Sequence, residues 1–145
     1  LRETIMLASM KAGLAFSNAI LGAVHAMAHS LGGYLDLAHG ECNAMLLEHV
    51  INYNFEAVPE KFIKIAQLMD IKTDGLTSKQ IKNRLIISVI NLKKAVGITE
   101  QLSTKGVSLT DIDDLSKKAV KDACMITNPR AVNIDDIKGI YREAL

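Results

Sequence analysis

The chain has 145 residues, and 17 Lys+Arg balance 16 Asp+Glu to a net charge of +1. That is the length of one domain, and it leaves no basic stripe of the kind a nucleic-acid surface needs, so nucleic acid is not an expected partner. With 49% apolar and 23% charged residues a disordered chain is excluded, and the two cysteines, Cys42 and Cys124, stand too far apart for a Cys-x-x-Cys pair; neither a disulfide framework nor a thiolate zinc site is indicated, and a reducing cytoplasm fits.

Helical periodicity runs through the sequence and strand alternation never persists, which predicts an all-α helical bundle. From Ile5 to Ala28 the only charged side chain is Lys11, with small residues interleaved among Met, Leu and Ile on every side. This predicts a helix from Arg2 to Leu21 that is apolar, and therefore buried, all round. A membrane span has about this length, but Lys11, Ser17, Asn18 and His25 interrupt it and no Lys/Arg cluster or aromatic belt flanks it, so no membrane partner is expected. A signal peptide fails for want of a basic start. An all-apolar helix beginning at Leu1 is the expectation for a fragment whose N-terminal partner is missing, with self-association through the same patch.

Gly22 permits a bend before a short helix from Ala23 to Leu31, which Gly32-Gly33 should close. A loop holding Tyr34, Asp36 and His39 follows, and Gly40 leads into a helix from Glu41 to Phe55 with Met45, Leu46, His49, Val50 and Tyr53 on one face. Pro59 suits the first turn of a helix through Met69, and Asp74-Gly75 turns the chain. Thr77 or Ser78 can cap a helix ending at Gly97; Ser108 to Thr110 should start another that reaches about Cys124. Asn128-Pro129-Arg130 reads as a turn, and Asn133 as the cap of a last helix, Ile134 to Leu145.

Chemistry is concentrated between Gly22 and Ala44. Three of the four His fall between residues 25 and 39. His25 and His29, four apart, stack on one helix face, and His39 returns from a Gly-bounded loop that can fold back. Imidazoles presented this way are ligands for Zn²⁺ or Fe²⁺; equally, a His on an apolar helix can be a satisfied core residue and Gly32-Gly33 a plain helix stop. The zincin motif is absent, since Ala26 stands where its Glu base would be, and there is no Glu-x-x-His pair. His49, alone beside Glu48, reads as packing or surface.

The stretch resembles the signature of the iron-containing alcohol dehydrogenase family, Gly-x-x-His-x-x-x-His-x-x-Gly and then His-Gly-x-x-Asn-Ala. It is met here by Gly22, His25, His29, Gly32, His39, Gly40, Asn43 and Ala44. The segment Ala15-Phe16-Ser17-Asn18 and the ending Thr127-Asn128-Pro129-Arg130, with Asp136-Ile137 and Ile140-Tyr141, look like the family too. The one local departure is Ala38, where many members have Pro before the His; its loss loosens the loop but removes no ligand.

The resemblance implies the helical C-terminal domain of a dehydroquinate synthase-like, two-domain enzyme whose N-terminal nucleotide-binding α/β domain is absent here. His25 and His39 match two of the family's metal ligands, the other two, an Asp and a His, being expected upstream of Leu1. His29 matches the non-ligand His near the nicotinamide, assigned to proton relay or cofactor positioning. Phe16 and Cys124 match positions that line the substrate pocket. The implied reaction is metal-assisted hydride transfer between a small alcohol or aldehyde and NAD(H) or NADP(H), with Fe²⁺ as the metal and Zn²⁺ as competitor. The 145-residue piece alone should be inactive and bind metal weakly, and the full protein is expected to be a homo-oligomer. Two other readings stand beside it: an autonomous helical interaction module with structural histidines, and a self-contained metallohydrolase, for which Asp36 and Glu41 are the nearby carboxylates.

Overall fold

The computed structural model describes all of Leu1–Leu145 and contains helices only. They are α1 (Arg2–Ala19), α2 (Ala23–Leu35), α3 (His39–Asn54), α4 (Pro59–Leu68), α5 (Ser78–Ala95), α6 (Ile112–Ala119) and α7 (Ile134–Ala144), with 3-10 turns at Phe55–Ala57, Ser103–Lys105 and Ala123–Thr127. The all-α expectation therefore holds.

Helices α2, α3, α6 and α7 enclose one core, in which Met27, Leu31, Leu46, Val50, Leu115, Ile137 and Tyr141 are buried. Full burial of each Leu, Ile or Val favours the fold by about 1.5–3 kcal/mol, so these side chains set the arrangement of the four helices. Polar groups inside the core are paired: Tyr141 Oη donates to the Met27 carbonyl at 2.8 Å and Ser30 Oγ to the Leu115 carbonyl at 2.9 Å. A smaller cluster of Ala66, Ile81 and Leu85 joins α4 to α5 and takes in Ile51 of α3. Two of the expected caps form: Thr77 and Gln80 make a capping box on α5, and Asn133 and Asp136 another on α7, each contributing about 1 kcal/mol; Ser108 to Thr110 do not cap α6, which begins after Asp111 without a side-chain cap.

Four expectations are corrected. Helix α1 has no buried residue; Ile5, Met6, Met10 and Leu14 all face solvent. Its composition specifies a helix but not what covers it, and no other element of this chain packs along it. Gly32-Gly33 do not end α2, which continues to Leu35 and closes on Asp36 in the left-handed region, φ 54°, whose N–H donates to the Gly32 carbonyl at 2.9 Å. The glycines cost helix propensity, but packing on α3 outweighs it. His39 is the first residue of α3, not a loop residue. Finally, α6 stops at Ala119, and Cys124 lies in the following 3-10 turn, because Asp122 leaves the helical region and caps that turn by accepting the Cys124 N–H at 2.8 Å.

No single helix is long and apolar enough to cross a membrane. Helices α1 and α2 together reach that length and composition, but they meet at 105°.

Candidate metal centre

The placement of the histidines begins at the N-terminus of α2. Gly22 is extended, and a Cβ on it would stand 3.2 Å from Asn128 Oδ1. That same oxygen accepts the Ala23 N–H at 3.1 Å and an Asn54 amide N–H at 2.9 Å, while Asn128 Nδ2 donates to Asn54 Oδ1 at 2.8 Å. The Thr127 hydroxyl donates to the Leu21 carbonyl. An orphan donor at a helix start is thereby satisfied from the turn before α7, and the first turn of α2, with His25, is fixed in direction.

His25 and His29 rise from one face of α2, and His39 arrives from the first turn of α3. The three rings form a cluster: centroids are 5.3 Å apart for His25 and His39, 5.1 Å for His29 and His39, which stack, and 6.3 Å for His25 and His29. His25 is half-buried, whereas His29 and His39 are exposed at the edge of the molecule.

The electrostatics favour a neutral imidazole at His25. Burial lowers the His25 pKa, and the neighbouring His39 and His29 lower it further, against a smaller opposing pull from Asp122. His39 Nε2 lies 2.8 Å from Asn43 Nδ2, which also donates to the His39 carbonyl at 3.1 Å; since an amide nitrogen only donates, His39 Nε2 is the acceptor in this contact, and a cation bound at that nitrogen would take the lone pair over from Asn43. The Asn43 Oδ1 is buried without a partner. No Lys or Arg forms an ion pair with any of the three rings or with Asp122. Two imidazole nitrogens from different helices, with no competing cation, are a donor set that suits Fe²⁺ or Zn²⁺, each taking imidazole at about 2.0–2.1 Å. They are half of the usual complement of four.

His29 differs from the other two. Its Nδ1 meets Asp122 Oδ2 at 2.9 Å. Burial pushes the Asp122 carboxyl up, but hydrogen bonds from the Cys124 backbone N–H and from His29 outweigh it and hold it below the ordinary carboxylate value. Cys124 sits beside this pair, half-buried, its thiol pushed up by burial and by the Asp122 carboxylate, which makes it a poor nucleophile. Phe16 lies on α1, half-exposed, and lines none of the cavities of the chain; nothing here brings it to the histidines. His49 is elsewhere, between Glu48 and Glu143.

Asp122 is the residue that reading the sequence missed. It is one acid among 16 Asp+Glu, and the only hint was its place two residues before Cys124.

The sequence matches, across residues 1–145, the description "Fe-containing alcohol dehydrogenase family, C-terminal". It is 44% identical to a 1,3-propanediol dehydrogenase of Citrobacter freundii over 99% of this chain and 37% of that protein. With a lactaldehyde reductase of Escherichia coli it shares 39% identity over 98% of this chain and 37% of the relative. A solved alcohol dehydrogenase from Oenococcus oeni superposes with a TM-score of 0.91 at 41% identity, over 95% of this chain and 36% of that one. The chain thus spans little more than a third of the length of these relatives.

Proposed function

The chain belongs to the Fe-containing alcohol dehydrogenase family, as its C-terminal part, and we propose that it supplies the metal-site half of an enzyme interconverting small primary alcohols and aldehydes with NAD(H) or NADP(H). The observation that carries the reading is the His25–His39 pair, two imidazoles with centroids 5.3 Å apart at an open edge, standing on the family's motif. The relatives that act on 1,3-propanediol and lactaldehyde by name support a small, short-chain substrate.

His25 and His39 would hold the cation, Fe²⁺ in first place and Zn²⁺ as competitor, with an Asp and a His from the rest of a longer protein completing the set. When bound, it supplies Lewis-acid polarisation of the substrate oxygen, and the nicotinamide accepts or delivers hydride. The residues of this chain do the rest. Burial keeps His25 neutral, with its lone pair for the cation, and Asn43 holds the His39 ring through Nε2 until a cation takes that place. His29, anchored through Nδ1 by Asp122, keeps its other ring nitrogen for taking the hydroxyl proton and passing it to solvent or for contact with the nicotinamide. Cys124 and Phe16 serve as apolar walls that restrict substrate size, Phe16 only once α1 is covered.

The exposed apolar α1 supports packing against the nucleotide-binding domain of that longer protein or a second copy in a homo-oligomer, and we place the enzyme in the cytoplasm. The test is NAD(P)H oxidation by the longer protein in the presence of a small aldehyde. Turnover that disappears with a chelator and returns with Fe²⁺ or Zn²⁺ supports the reading; turnover indifferent to the chelator refutes it.

A further inference from the structure

We propose a second cation site, for a soft or borderline divalent metal such as Zn²⁺, formed by the His29 imidazole, the Asp122 carboxylate and the Cys124 thiol beside the His25–His39 pair. One donor atom from each of the three residues lies within 4.8 Å of the other two. They come from separate segments: His29 from α2, and Asp122 with Cys124 from the turn after α6. In a tetrahedral site with bonds of roughly 2.0–2.3 Å, donors stand about 3.5 Å apart. The His29 ring is 43% exposed and so has room to turn, and closing the site asks for rotation of the His29 and Cys124 side chains.

Three observations make this more than a chance grouping. Asp122 is held in place from behind, its Oδ1 accepting the Cys124 N–H at 2.8 Å, so the turn that presents the thiol also aims the carboxylate. The side chains on that carboxylate are those of His29 and Cys124 themselves, with no Lys or Arg to neutralise it. Cys124 is a free thiol, and the exposed edge at His29 leaves a coordination position for water. A nitrogen, oxygen and sulfur set selects Zn²⁺, Co²⁺ or Cd²⁺ over Mg²⁺ or Ca²⁺, whereas the neighbouring pair offers nitrogen alone. On binding, the Cys124 S–H bond breaks, its electron pair makes the sulfur–metal bond and the proton passes to water. A cation seated there also withdraws His29 from proton transfer, a consequence that rests on the function proposed above; the site itself does not.

Co²⁺ is the probe, added anaerobically to this chain while the thiolate-to-cobalt band in the near ultraviolet is followed and circular dichroism reports the fold. The band should appear in the natural sequence and fade on adding Zn²⁺. It should be absent from Cys124→Ser, weakened in His29→Gln and Asp122→Asn, and retained in His39→Ala, which removes a ring stacked on His29 but no donor of this site. His29 is exposed, so His29→Gln keeps the test valid where another variant fails to fold. A folded natural chain without the band overturns the proposal, as does a band that survives Cys124→Ser or one lost with His39→Ala. Because no turnover is measured, failure of the dehydrogenase reading leaves this result unaffected.

Discussion

Asn128 closes on Gly22 so tightly that a Cβ there would stand 3.2 Å from the Asn128 side-chain oxygen, the atom that also accepts the Ala23 N–H at 3.1 Å. The first turn of α2, and with it His25, is tied to the turn before α7 by this one amide. Asn128→Ala leaves the Ala23 N–H and the Asn54 amide without partners and should destabilise the chain by about 2–3 kcal/mol in urea titration. Gly22→Ala forces the Asn128 side chain to shift and should cost about 1 kcal/mol. An unaltered midpoint for Asn128→Ala would show that the amide does not anchor the helix.

Tyr141 is fully buried and its hydroxyl donates to the Met27 carbonyl at 2.8 Å across the core. Burial drives its phenol well above the ordinary tyrosine value, so it stays protonated and remains a donor. Tyr141→Phe keeps the packing and removes one hydrogen bond, for an expected loss of about 1 kcal/mol. Thermal melting in parallel with the natural chain checks it.

Stability should fall on the acid side through two histidines. Burial lowers the pKa of His49, with Glu48 and Glu143 opposing it and Lys93 assisting, and burial with neighbouring imidazoles lowers that of His25. Unfolded histidine titrates near 6.5, so below that the unfolded chain binds more protons than the folded one; the stabilisation is complete above about pH 6.5 and is lost as the pH falls through the lower folded values. Urea midpoints measured between about pH 8 and pH 5.5 should decline below pH 6.5. The decline should shrink in a His25→Gln/His49→Gln double variant. A flat profile contradicts the assignment.

Much of this molecule was legible one residue at a time. The i, i+4 spacing of His25 and His29 put them on one face, and Thr77 or Ser78 and Asn133 marked two helix starts, which the structure caps with Thr77 and Asn133. What stayed hidden depends on contacts distant in sequence. Ala38 precedes α3 with no capping side chain, so nothing local marks His39 as helical. Gly32 continues α2 where a Cβ would lie 3.7 Å from Cys42 Sγ on α3, a packing fact invisible to propensity. Asp122 reaches His29, 93 positions away, only because α6 ends early. The apolar periodicity of α1 specified a helix and said nothing of its cover.

In this chain alone, two imidazoles are too few for firm binding. With Cys124→Ser removing any thiolate contribution, anaerobic calorimetry with Fe²⁺ should give weak binding, since well-formed sites use three or four protein ligands. A one-to-one site in the sub-micromolar range, roughly 8 kcal/mol or more of binding free energy, would mean that other groups of the chain complete the site.

Metal content of the longer protein, measured per chain after purification for the natural sequence, His25→Ala and His39→Ala, bears most directly on the claim that these two imidazoles are ligands. Each substitution should abolish bound iron or zinc while circular dichroism reports an intact helical fold. Variants that retain the metal, or that lose it only by unfolding, would make the two rings structural and contradict the assignment.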